Sequence, residues 1–202
     1  MGVADELFWE GTEFARPLVL YAGNLGTHQG VSELVEAFGL LRAEGHHAAL
    51  VIAGGSEREI ARLSAVGEGV RLMGQVERHR LPRLLRMADV LVSPRLGGSN
   101  VPMKIYDYIA ARRLILATRI PAHTQLLADD CAILVEPTVG GLLAGLRRAL
   151  TDSGNERLVS GAGRLAATLM SPEEARMRLK EFYGCLLRPT SSRMATYTEA
   201  ST

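Results

Sequence analysis

Two residues near the middle of the chain, Arg95 and Lys104, have the types and spacing to handle an anion. Lys104 and Asp107 stand one helical turn apart, and Arg95 precedes them in the segment Ser93-Pro94-Arg95-Leu96-Gly97-Gly98-Ser99-Asn100-Val101-Pro102-Met103-Lys104. Two cations beside the free amides of a helix start can surround a phosphate. Gly97-Gly98 supplies a turn, Ser99 or Asn100 can cap the helix that follows, and Pro102 suits its first turn. Lysine is scarce, since Lys104 and Lys180 are the only two among 23 basic residues. A plainer reading makes Lys104 and Asp107 an i,i+3 surface pair.

A second candidate is Gly23-Asn24-Leu25-Gly26-Thr27-His28-Gln29-Gly30, which runs straight into a helix. Its glycines let backbone amides approach an anion, or simply serve a tight turn with positive φ. The G-x-x-G-x-x-x-G spacing is not that of a dinucleotide site, and without G-K-[ST] there is no P-loop. Gly54-Gly55-Ser56 is permissive but uninformative alone. Gly74-Gln75-Val76 could offer backbone groups to a nucleobase edge. His28 and His123 fall on loops of the same side and read as polar loop residues before catalytic ones. No pattern of metal ligands appears.

These loops need a frame. Short, uniformly apolar runs occur at Pro17–Ala22, Ala48–Ala53, Val70–Gly74, Val90–Ser93, Leu114–Thr118 and Ala132–Val135. Uniform rather than alternating apolarity suits strands of a parallel sheet covered on both faces. Helical stripes lie between and after them: Val31, Leu34, Val35 and Phe38; Leu81, Leu84, Leu85 and Ala88; Val139, Leu142, Leu143, Leu146 and Leu150. The alternation predicts an α/β fold with one Rossmann-like, doubly wound parallel sheet of about six strands. Further helices are expected at 138–151, 156–170 and 172–187. Ligands of such sheets bind beyond the carboxyl ends of the strands, where the strand order reverses.

Composition narrows the class. At 202 residues, 47% hydrophobic and 22% charged, the chain is an ordinary globular one. Its length lets it form a core without disulfides or metal. A net charge of +1 gives no global attraction to nucleic acid. The stretch 71–86 is locally basic, with Arg71, Arg78, Arg80, Arg83 and Arg86 against Glu77 alone, and reads as a solvated helix face. It lacks the interleaved aromatics of a base-stacking surface. Cys131 and Cys185 form neither a disulfide framework nor a metal pattern, and MGVADELFWEG is no secretory signal. A cytoplasmic setting is expected.

From Val19 to about Asp152 the chain resembles the C-terminal, nucleotide-sugar-binding domain of glycosyltransferase family 4, the group 1 transferases. The likeness rests on Gly23 and Leu25 before Glu36-Ala37-Phe38, on Gly74-Gln75-Val76 and on Ala88-Asp89-Val90. It continues through Asn100-Val101-Pro102-Met103-Lys104-Ile105-Tyr106-Asp107-Tyr108, Leu116-Ala117-Thr118 and Ile120–Gln125. The resemblance implies the C-terminal half of a GT-B architecture. It also implies retaining transfer of a hexosyl group from a nucleoside diphosphate sugar, in glycan, polysaccharide or glycolipid synthesis, with no cofactor or metal required. An N-terminal acceptor-binding domain would complete the cleft, and through it the enzyme could meet the inner face of a membrane.

The departures matter as much. The family places an arginine and a lysine at the positions of Asn24 and Gln29, and two glutamates at those of Ser99 and Asp107. A glycine usually stands where Arg112 does. Arg95 and Lys104 are therefore expected to replace the missing cations and stabilise the leaving diphosphate. Donor contacts are expected from Gly23, Asn24, Gly26, Gln29, Gly74, Val76, Gly98, Ser99, Asn100, Val101 and Asp107. The expected division is an N-terminal segment or linker (1–16), the donor domain (17–170), a helix crossing to the absent domain (171–187) and a flexible tail (188–202). Alone, such a chain would bind donor without turnover. Two other readings stay open: a non-catalytic interaction module that has lost donor binding, and half of a sugar-nucleotide epimerase.

Overall fold

A computed structural model of the chain describes residues 16–63, 67–152, 154–169 and 171. The chain divides into two compact units, Met1–Ala166 and Ala167–Thr202, and all the strands belong to the first. Six strands form one sheet: β1 (Leu18–Ala22), β2 (Ala49–Ala53), β3 (Val70–Gly74), β4 (Val90–Ser93), β5 (Leu114–Thr118) and β6 (Ile133–Val135). Their order is β3-β2-β1-β4-β5-β6, and every pairing is parallel. Each predicted strand is present within one residue of its expected bounds. The order reverses between β1 and β4, which places the switch point beside the two loops singled out above.

Every residue of β1, β4 and β5 is buried, as strands covered on both faces require. The edge strand β3 is only half-buried, with Arg71 exposed. Helix α1 (Val31–Ala43) buries Val31, Leu34, Ala37, Phe38 and Leu41. It packs against α6 (Val139–Thr151), which buries Leu142, Leu143 and Leu146. Thr138 caps α6, its Oγ1 accepting from the Gly141 amide at 3.0 Å. Between these come α2 (Glu57–Arg62), α3 (Leu81–Met87), α4 (Met103–Ala111) and α5 (Pro121–Thr124), and α7 (Asn155–Leu169) follows. Helices α3 and α4 pack against each other. The helix and tail expected beyond Ser171 lie outside the described residues.

Helix α4 starts differently from expectation. Pro102 is its N-cap and no side chain caps it, so neither Ser99 nor Asn100 does so. Its far end holds Arg112 at φ 52° and ψ 47°, a left-handed conformation that favours glycine. The side chain of Tyr108 ties the helix to the switch point. Fully buried, its hydroxyl accepts from the Ala22 amide at 2.9 Å and lies 3.3 Å from the Val92 carbonyl. The ends of β1 and β4 are thus fastened to the helix that carries Lys104 and Asp107.

Candidate functional site

A cavity of about 470 Å³ opens at the carboxyl ends of β1, β2 and β3. Its wall includes Gly23 and Asn24 after β1, Gly54 to Ser56 after β2, Gln75 and Val76 after β3, and Lys104 and Asp107 on α4. Glycines let the loops around it close on one another. Gly30 has φ 70°, and a Cβ there would sit 2.0 Å from the Pro94 carbonyl oxygen. Gly54 has φ 118°, and a Cβ there would sit 2.0 Å from the Gly23 carbonyl oxygen. At these two positions the glycine serves contact between loop backbones rather than approach to a ligand. Leu96 adds a bond across the same seam, donating its amide to the His28 carbonyl at 3.0 Å.

Lys104 is the centre of the arrangement. Its Nζ donates to Tyr21 Oη at 2.8 Å and to Gln29 Oε1 at 2.9 Å, and lies 4.1 Å from the centre of the Tyr21 ring. An ammonium has three donors, and with two committed the third remains for the cavity. Burial, with Arg95 adding repulsion, pushes the Lys104 pKa down to about 7. No ion pair joins Lys104 to Asp107 among the described residues, so the surface-pair reading fails. Burial raises the Tyr21 phenol well above its ordinary range, so it stays a neutral hydroxyl and donates onward to the Asn24 carbonyl.

Arg95 is placed otherwise. It is half-buried and folds back on its own loop, donating from Nε to the Gly97 carbonyl at 2.8 Å and from Nη1 to the Asn100 carbonyl at 3.3 Å. It does not line the cavity, and its effect on Lys104 is electrostatic. Gly98, Ser99 and Asn100 stand apart from the cavity as well. Their carbonyls accept from the Ala122 amide, Gln125 Nε2 and Arg95 respectively. Val101 is half-buried in the same loop, off the lining.

Of the other expected residues, Gly23, Asn24, Val76 and Asp107 meet at the cavity. Gln29 is buried behind Lys104. Gly26 donates to Asn24 Oδ1 at 3.4 Å, outside the cavity wall. The Gly74 carbonyl is taken by the Gly54 amide at 2.6 Å, which leaves the edge after β3 to Gln75 and Val76. His123 lies within the core and not on a polar loop surface. It is fully buried, with Nδ1 2.7 Å from the Thr118 carbonyl and Nε2 2.9 Å from Ser93 Oγ, and burial lowers its pKa. The geometry fits a neutral ring that donates from Nδ1 and accepts at Nε2.

One wall residue, Glu59, and one residue buried behind the wall, Tyr21, escaped sequence reasoning. Tyr21 was hidden inside an apolar strand run; its one signal was a hydroxyl-bearing residue two places before the glycine loop. Glu59 belongs to a capping box: its Oε2 accepts from the Ser56 amide at 2.8 Å and from Ser56 Oγ at 2.9 Å, bonds that hold its pKa below the ordinary range. Ser56 followed by Glu59 was legible as that motif. Among the described residues, no group of three His, Cys, Asp or Glu is placed to hold a metal ion, and no helix is long and apolar enough to cross a membrane.

Comparison with known proteins bears on the same region. The chain is 32% identical over 147 residues to the WcaI protein of Escherichia coli K12, covering 67% of this chain and 36% of that one. It is 29% identical over 154 residues to a phosphatidyl-myo-inositol mannosyltransferase of Mycolicibacterium smegmatis, covering 74% and 40%. The chain therefore spans about two fifths of the length of these curated relatives. In fold it is similar to the Anabaena protein Alr3699/HepE, solved in complex with UDP-glucose, with a TM-score of 0.70 at 14% identity over 91% of this chain and 52% of that one. Residues 16–152 match the family described as glycosyl transferases group 1, a span that takes in every strand and every wall residue of the cavity, and the chain belongs to that family.

Proposed function

We propose that this chain is the donor-binding half of a retaining glycosyltransferase, with a nucleoside diphosphate sugar in the cavity beside β1, β2 and β3. The observation that carries the reading is the Lys104 ammonium, held at the cavity wall by Tyr21 and Gln29 with one donor left over. Nucleoside and diphosphate have distinct places in it. Gln75 and Val76 offer backbone groups to the base, and Asp107 accepts from ribose hydroxyls. Lys104 meets the diphosphate, and Arg95 keeps the β4 loop in shape and adds positive potential.

When the bond between the anomeric carbon and the diphosphate oxygen breaks, negative charge grows on that oxygen. A cation already fixed in a partly desolvated wall stabilises this charge without reorganising. The acceptor is held by a second domain, which the relatives' greater length leaves room for, so the chain alone binds donor and does not transfer sugar. A hexosyl donor, service in glycan or glycolipid synthesis, and action on the cytoplasmic side of a membrane belong to the same proposal.

Calorimetric titration with uridine, guanosine and adenosine diphosphates tests it. Saturable binding of at least one is expected, weakened tenfold or more, about 1.4 kcal/mol, in the Lys104→Ala/Arg95→Ala variant. Unchanged affinity would discard the assignment of these cations. Neutral Asn24, Gln29 and Ser99 favour a second reading, an interaction module without donor affinity, and the absence of binding by all three diphosphates would select it.

A further inference from the structure

The arginines of the basic stretch 71–86 do not line the donor cavity, and the structure gives their surroundings a shape. Helices α3 and α4 leave between them a groove of about 460 Å³ with Leu85, Met103, Ala110 and Ala111 along it and Arg78 and Arg86 at its margins. Met103 is 76% exposed, the most exposed large apolar side chain among the described residues. Arg78, Arg83 and Arg86 are all exposed, and none forms an ion pair with a described residue, because Glu77 is taken by Arg80 and His79. Exposed Arg112 and Arg113 follow the lining residue Ala111 in the chain. The one carboxylate on the lining, Asp107, stands where the groove adjoins the donor cavity.

A segment of this chain has the complementary chemistry. Residues 1–15, which lie outside both the described residues and the family match, hold Asp5, Glu6, Glu10 and Glu13 with no lysine or arginine. Interleaved with them are Leu7, Phe8, Trp9 and Phe14. The chain leaves the described structure next to a residue that follows α3 and precedes β4. Arg16 Nη1 bonds Asp89 Oδ1 at 2.8 Å, and Asp89 follows Arg86 by three residues. Trp9 is seven residues from this anchor, a reach of up to about 23 Å, against about 10 Å for the length of α3. So short a tether gives an effective concentration of order millimolar, which keeps even a weak contact closed.

We propose that residues 5–14 dock into the groove between α3 and α4, with Trp9 and Phe8 against its apolar floor and the carboxylates against Arg78, Arg86 and their neighbours. The contact does not depend on the donor reading.

Trp9 is the chain's single tryptophan, so its fluorescence reports on this contact alone. Acrylamide quenching of the full chain is compared with that of a synthetic peptide of residues 1–15. At least threefold protection is expected, unchanged on dilution. Arg78→Glu/Arg86→Glu abolishes it, as does Met103→Glu, while the control Arg157→Glu leaves it intact. All four positions are exposed, and circular dichroism verifies that each variant is folded. Peptide-like quenching in the unaltered chain would overturn the proposal, as would protection indifferent to both groove variants. Protection that vanishes on dilution would mean a contact between copies and overturn the intramolecular one. Peptide-like quenching with arginine-dependent flotation on phosphatidylglycerol vesicles would give the groove to lipid instead.

Discussion

Replacing Lys104 by methionine removes the ammonium and keeps most of the stem. The side chain sits 2.8 Å from Tyr21 Oη and 2.9 Å from Gln29 Oε1, and its pKa of about 7 stands far below the ordinary 10.5. The ammonium rather than the amine attracts a diphosphate, so affinity must fall as pH rises through that value. If only the protonated form binds, the loss between pH 7 and pH 8.5 is about 15-fold, and it approaches tenfold per unit above that. Binding at pH 7 should also take up about half a proton at this residue. Calorimetry in two buffers of different ionisation enthalpy measures that uptake, and the difference between the unaltered chain and Lys104→Met cancels the diphosphate's own titration. Stability runs the other way. Between pH 7 and 10.5 the unfolded chain keeps a proton that the folded chain has released, so stability gains as pH rises through this window. Lys104→Met should therefore raise the melting temperature, most at pH 6 and least at pH 10. Affinity equal at pH 7 and 8.5, or equal proton uptake in both proteins, would refute the placement of the lysine at the diphosphate.

Other consequences are simpler to measure. In Gln29→Lys/Lys104→Gln the charge is delivered from the opposite side of a 2.9 Å contact, so diphosphate affinity should return to within about threefold of the original, while Lys104→Gln alone stays weak. Gly30→Ala forces a Cβ against the Pro94 carbonyl at φ 70° and should cost more than about 2 kcal/mol in denaturant unfolding. Arg112→Gly relieves a left-handed side-chain-bearing residue at the end of α4, and the same assay should show a gain of up to about 1 kcal/mol.

Fold and site were not equally legible. The strands could be bounded within a residue because a parallel sheet covered on both faces leaves apolar runs that loops and helices do not imitate. The apolar stripe of α6 was readable from its local spacing as well. What could not be read was how loops pack on one another. Gly30 looked like part of an anion-binding loop and Gly54 told nothing by itself, yet each is glycine because a backbone carbonyl from another loop occupies the space a Cβ would need. Arg95 and Lys104 are equally basic in sequence. One folds back on the carbonyls of its own loop and the other reaches Tyr21 and Gln29, a choice made by contacts more than seventy residues away. Tyr21 was invisible for the converse reason, since its position in an all-apolar strand concealed a hydroxyl that emerges at the end of β1.

A crystal structure of the chain with a bound nucleoside diphosphate is the most direct test. It should place a phosphate oxygen about 3 Å from Lys104 Nζ, with the base beside Gln75 and Val76. A nucleotide seated elsewhere, or Lys104 still turned wholly to Tyr21 and Gln29 with no phosphate in reach, would contradict the account.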